Sequence, residues 1–257
     1  MDKKPLEMYS GIDSRVVKFK QNQVKTWIFD PPYNIGFEYD ACKDNLQDQE
    51  YDKFILESIQ NMLNHSHKDS NLFYINYPEN IARQFNEIVK IGYEFKQWVS
   101  WVYNSSMGHS KNKFTRSHRA IVWFTTGTPT TNIKAVQRKY KDPTQSRIKE
   151  RIKQGSRGCN LYDWWEIQLV KAGSKEHKGY SNQIPEKIIK NCILVSTNQG
   201  DIVGDIMAGS GSTMQVALTY DRECVISDLN PKASIFWESR LQDQEFFPKA
   251  TLFQKWS

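Results

Sequence analysis

Two short runs of this 257-residue chain bring together residue types that can do chemistry. In Asp30-Pro31-Pro32-Tyr33 a carboxylate is followed by two prolines and an aromatic ring. Proline gives up its own N–H and fixes φ, so the Pro31 carbonyl is held at a rigid bend beside Asp30. A carboxylate and a fixed carbonyl can both accept hydrogen bonds from an exocyclic NH2 whose lone pair is conjugated into a heterocycle, as that nitrogen turns tetrahedral. No covalent intermediate with the protein is required. Tyr33 adds a plane on which a base drawn out of a duplex can stack. A Pro-Pro turn capped by an acid is the plain alternative for the same four residues.

The second run is Asp205-Ile206-Met207-Ala208-Gly209-Ser210-Gly211-Ser212-Thr213. Glycines let a ligand approach the backbone closely, and a helix that starts there supplies free amides. A Gly-x-Gly is common in ordinary turns, so the run gains meaning from Asp228, 17 residues beyond Gly211. A carboxylate at the end of the next strand can accept hydrogen bonds from both hydroxyls of a ribose. The third glycine of a dinucleotide fingerprint is missing, because position 214 is Met. That disfavours a pyrophosphate cofactor and suits S-adenosylmethionine, which has no phosphate.

Strand ends must carry both runs. Val24–Phe29 is β-prone and stops at the two prolines, which delivers Asp30 to the strand's C-terminal edge. Tyr51–Leu63 and Pro78–Val89 have helical apolar spacing, and Asn71–Asn76, Phe95–Tyr103 and Arg119–Thr125 have strand composition. After residues 126–176, where no alternation predicts a strand, a helix is expected from Ile184-Pro185 to Val195. Asp201–Ile206, Ser212–Tyr220, Glu223–Ser227 and Pro231–Arg240 follow as strand, helix, strand and helix. Such alternation implies an α/β fold with a doubly wound, mainly parallel sheet in one domain spanning residues 1–257.

Charge marks a further region. Lys134–Arg157 holds nine Lys and Arg against only Asp142 and Glu150, a net +7 in a chain of net +6, so the remainder is close to neutral. A basic strip on a balanced body suits a polyanion, and Arg138, Lys139, Lys141, Arg147, Lys149, Arg151 and Lys153 are its candidate phosphate contacts. A solvated basic helix is the plain alternative. Cys42, Cys159, Cys192 and Cys224 lie far apart and His65, His67, His109, His118 and His177 add no ligand spacing, so no metal site is expected. No stretch approaches the roughly 18 apolar residues of a membrane span, and no signal-peptide core follows the start; a cytoplasmic protein is expected.

These motifs resemble those of the DNA amino-methyltransferases that modify adenine N6 or cytosine N4. Asp30–Tyr33 matches their catalytic tetrapeptide, and Asp205–Thr213 is similar to their cofactor loop Asp-Pro-Phe-Ala-Gly-Ser-Gly-Thr-Thr, with Ile206, Met207 and Ser212 departing. Asp163-Trp164-Trp165-Glu166-Ile167 resembles their Asp-x-Trp-x-Ile segment. Tyr180-Ser181-Asn182-Gln183-Ile184-Pro185 resembles His-Pro-Thr-Gln-Lys-Pro, keeping Gln183 and Pro185 without the His. The tetrapeptide precedes the cofactor loop, the order of the family's permuted β class.

The resemblance covers residues 24–240 except across the basic strip. It implies a Rossmann-like methyltransferase fold with residues 126–176 as a target-recognition insertion, S-adenosylmethionine as cofactor, and double-stranded DNA as partner. It also implies a possible homodimer and a possible companion restriction endonuclease. Asp30, Pro31, Pro32 and Tyr33 would be catalytic. Asp205, Met207, Ala208, Gly209, Ser210, Gly211, Ser212, Asp228 and Gln183 would bind the cofactor. Asp at the first tetrapeptide position favours adenine N6, since cytosine N4 enzymes more often carry Ser there. A cytosine N4 enzyme and a catalytically silent DNA-binding subunit of the same fold remain the alternatives.

Overall fold

A computed structural model of the chain describes residues 5–37, 44–104, 111–180 and 182–243. The residues of interest Cys42, His109 and Ser181 lie outside these ranges. Among the described residues eight strands form one sheet: β1 (Glu7–Ser10), β2 (Val24–Phe29), β3 (Ser66–Asn76), β4 (Glu94–Val102), β5 (His118–Thr126), β6 (Trp164–Glu166), β7 (Ile202–Asp205) and β8 (Glu223–Asp228). Their spatial order is β1-β8-β7-β2-β3-β5-β4-β6. Every pairing is parallel except the two made by β5, which runs antiparallel to both β3 and β4.

The helices are α1 (Asp48–Asn64), α2 (Pro78–Ile91), α3 (Ser146–Lys153), α4 (Glu186–Ser196), α5 (Ser212–Thr219) and α6 (Ala233–Asp243). The central strands are apolar on both faces, as strands covered on both sides must be. Trp27, Phe29, Leu72 and Tyr74 point to one face, where α1 supplies Tyr51, Ile55 and Ile59 and α2 supplies Ile81 and Ile88. Ile28, Phe73 and Ile75 point to the other, against Ile188 and Cys192 of α4, Met214 and Ala217 of α5 and Trp237 of α6. Within the sheet, β7 passes close under the Trp27 indole: a Cβ on Gly204 would lie 2.2 Å from that ring.

The mainly parallel, doubly wound sheet is the expected one, with two strands added. β1 pairs with β8 but has only four residues, too few to show a period. β6 falls inside residues 126–176, where no strand is expected from the sequence, and its three residues pair with β4 at the sheet edge. Trp164 and Glu166 remain exposed there, so burial left no apolar signature. Strand β3 also begins earlier than its apolar run, at Ser66 rather than Asn71. No helix among the described residues is long and apolar enough to cross a membrane.

Candidate active site

Asp228 is the last residue of β8, Asp205 the last of β7, and Asp30 follows the end of β2. These three strands are adjacent and parallel, so the three carboxylates share one edge, the carboxyl edge where open α/β sheets hold ligands. They line a cavity of about 520 Å³. Its walls include Pro31, Pro32 and Tyr33 from the tetrapeptide, Met207, Ala208, Gly209, Ser210 and Ser212 from the loop, and Gln183. Gly211 packs beneath the loop instead, where a Cβ would come within 2.7 Å of Trp237.

Each carboxylate is fixed differently. Asp228 accepts the Gly209 amide at 2.7 Å and the Asn230 amide at 2.8 Å, one on each oxygen, and so holds the loop turn while facing the cavity. Asp205 accepts the Met207 amide at 3.0 Å and the Thr213 hydroxyl at 2.6 Å, tying the strand end to the first turn of α5. Burial pushes the Asp205 carboxyl up to about 7 against the pull of those two bonds, and Asp30 and Asp228 raise it further. Burial also raises Asp228, although the two amides pull it down. Such crowding of acids welcomes a cation and rejects a phosphate.

The tetrapeptide is held by bonds to its carbonyls. Tyr51 of α1 donates to the Pro32 carbonyl at 2.6 Å, and Asn80 of α2 donates to the Tyr33 carbonyl at 2.8 Å. No described group donates to the Pro31 carbonyl, which leaves it as an acceptor beside Asp30. The following turn hangs on Asp44, whose oxygens accept the amides of Asn34, Ile35 and Phe37. Burial pushes the Asp30 carboxyl up to about 7, with Arg119 and the Tyr33 hydroxyl pulling it down. Tyr33, expected as an open stacking plane, has a side chain only 2% exposed, packed on Tyr77 with ring centroids 5.2 Å apart and donating to Asp30. Stacking a base on it requires the ring to be uncovered first.

The cavity fits S-adenosylmethionine on these grounds. Three acids face a ligand that carries a sulfonium and an ammonium, and Gly209 lets the Tyr180 ring of the cavity wall pack against the loop, where a Cβ would come within 2.9 Å of that ring. Gln183 serves the wall through its own loop, accepting the Lys178 amide at 3.2 Å and donating to the Glu176 carbonyl at 2.8 Å.

Several residues of the site, lining the cavity or behind its wall, escape sequence reasoning. Asp13, Ser14 and Arg15 reach the cavity because β1 pairs with β8 and sets the next turn beside Asp228. Arg119 reaches Tyr33 across 86 positions because β5 runs antiparallel, which places its first residues at the edge where its parallel neighbours end. Neither has a local motif; only the strand order reveals them.

The basic residues 138–153 lie away from the cavity. Arg138 is an exception to the exposed strip: it is half-buried, bridged to Cys159 through the backbone, with its guanidinium 4.2 Å from the Tyr162 ring centroid. Lys139, Lys141, Arg147, Lys149, Arg151 and Lys153 are exposed. Helical spacing in α3 sets Arg147 and Arg151 on one side and Lys149 and Lys153 on the opposite one. The four cannot all meet one groove.

Comparison with known proteins agrees with this geometry. The chain is 28% identical over 238 residues to the type II methyltransferase M.HpaI of Haemophilus parainfluenzae, covering 88% of this chain and 70% of that protein. It is 26% identical over 207 residues to the DNA adenine methyltransferase YhdJ of Escherichia coli K12, covering 78% of this chain and 70% of the relative. Its fold superposes on the PvuII DNA methyltransferase, described as cytosine-N4-specific, with a TM-score of 0.68 at 17% identity, across 92% of this chain and 89% of that one. Residues 24–234 match the model of the N6 and N4 methyltransferases, described as DNA methylase. Taken with three strand-end aspartates around one cavity, that match makes the chain a member of the N6/N4 DNA methylase family.

Proposed function

We propose that the chain methylates the exocyclic N6 of adenine in a specific site of double-stranded DNA, with Asp30 as the residue that bonds the amine. The observation that carries this reading is the pairing of Asp30 with the unengaged Pro31 carbonyl on the wall of an acidic cavity. S-adenosylmethionine supplies an electrophilic methyl group on its sulfonium. Asp228 would hold the ribose hydroxyls, and the backbone at Gly209 would lie along the ligand. The target amine would donate one hydrogen to Asp30 and one to the Pro31 carbonyl, which turns its lone pair out of conjugation and towards the methyl group. With its carboxyl pushed up to about 7, Asp30 is poised to take the proton that the methylated nitrogen releases.

Duplex DNA would be gripped by one basic side of α3, away from the cavity, with Lys139 and Lys141 adding phosphate contacts. Adenine is favoured because the tetrapeptide begins with Asp. Purified protein incubated with methyl-labelled S-adenosylmethionine and duplex DNA, followed by nucleoside digestion, tests the choice. Label in N6-methyladenine is expected; label in N4-methylcytosine would assign cytosine instead, and no label in any DNA would make the chain a silent subunit.

A further inference from the structure

Arg119 is 6% exposed and sits directly behind the tetrapeptide. One of its terminal nitrogens donates to the Tyr33 hydroxyl at 2.9 Å, and that hydroxyl donates in turn to Oδ1 of Asp30. Its guanidinium carbon lies 4.5 Å from the Tyr33 ring centroid and 4.9 Å from that of Trp101, with Tyr103 and Tyr77 at 5.9 and 6.0 Å. Its Nε is buried without a hydrogen-bond partner. A guanidinium stays charged at any ordinary pH, so the fold keeps an incompletely satisfied cation in an aromatic box. Rings recover part of that cost through cation–π attraction, but an apolar side chain would pack there without it.

The charged and titratable groups described around Asp30 bear on what the cation does. Tyr33 shares its turn, Tyr51 approaches from α1, Asp205 from the end of β7, and Arg119 from β5. Among these described groups Arg119 is the cation whose charge acts on Asp30, while Arg15 and Lys53 line the same cavity. The two-bond relay occupies Oδ1 and leaves the second carboxylate oxygen as an acceptor, and a donor chain beginning on a cation polarises each bond along it.

We propose that Arg119 is a positioning residue for methyl transfer: through the Tyr33 hydroxyl it holds Asp30 turned, so that the second carboxylate oxygen is offered to the target amine. This rests on the reading that Asp30 bonds that amine. Without Arg119 the Asp30 carboxyl would rise further, and a protonated Asp30 would have lost acceptor capacity when the amine arrives.

The test is the pH profile of kcat/KM for duplex DNA at one fixed cofactor concentration, for the wild type, Arg119→Met, Arg119→Lys and Tyr33→Phe. Removing the cation raises the carboxyl, so the acid limb of Arg119→Met should move up by about one to three pH units, with much of the rate returning at alkaline pH. Arg119→Lys should lie between it and the wild type. Tyr33→Phe, which keeps the ring and the arginine but cuts the relay, should shift the limb in the same direction by less. Should Arg119→Met fail to fold, Tyr33→Phe decides alone. An acid limb at the wild-type pH in Tyr33→Phe, or an Arg119→Met rate reduced equally at all pH values, would overturn the proposal. The underlying reading fails separately, if Asp30→Ala turns over normally.

Discussion

At the carboxyl edge of β2, β7 and β8, each group has a fixed partner: Asp228 its two amides, Asp205 its hydroxyl and amide, Asp30 its tyrosine. Along α3 the charges are placed differently, since the helix buries none of its residues and its arginines and lysines are exposed on opposite sides. A buried site works by placement, so one atom removed should cost much. An exposed one works by summed electrostatics, so each residue should matter little and salt should matter a great deal.

The largest effect should follow Asp30→Ala. Loss of the acceptor for the amine should lower turnover by about 10²–10⁴-fold, while S-adenosylmethionine affinity by calorimetry stays near the wild-type value. Near-normal turnover would remove Asp30 from the chemistry and leave the comparison without its buried half. Next in size is Asp228→Ala, which should weaken cofactor binding by about 1.5–3 kcal/mol, roughly ten- to a hundredfold, because hydrogen bonds to a charged group are lost. Unchanged affinity would mean that the ribose lies elsewhere.

The smallest effects should come from α3, and they sharpen the contrast because its two sides can be tested against each other. Replacing Arg147 and Arg151 with Gln, or Lys149 and Lys153 with Gln, removes two charges in each case. Only the pair that faces DNA should lower the salt slope of binding, by about 0.9 for each lost contact. The other pair should leave it alone. Equal effects from both pairs would mean that the helix acts as a diffuse charge, and no effect from either would make it a solvated surface. Phe114 is fully exposed ahead of β5 near Arg116 and would then be the next place to look for the DNA contact.

What the sequence disclosed follows the same division. Asp30, Asp205 and Asp228 are legible because each ends an apolar strand at a breaker or a glycine turn, and strand order brings those ends together. Arg119 is not legible: it stands second in β5, ahead of Ala120, Ile121 and Val122, and gains its meaning from the reversed direction of that strand. Asp13 depends on a four-residue strand that only pairing with β8 defines. The basic strip shows its charge in sequence but not its sides, because the split between Arg147 and Lys149 needs the helix. Tyr33 is legible as an aromatic but not as a covered one, since Tyr77 and Arg119 pack on it from distant positions.

The central claim, that Asp30 directs a methyl group onto adenine N6, is met most directly by nucleoside mass spectrometry of DNA from cells that lack their own DNA methyltransferases. Cells expressing the wild-type chain should contain N6-methyladenine, and cells expressing equal amounts of folded Asp30→Ala should contain none. N4-methylcytosine in place of N6-methyladenine, or N6-methyladenine persisting in Asp30→Ala, would contradict it.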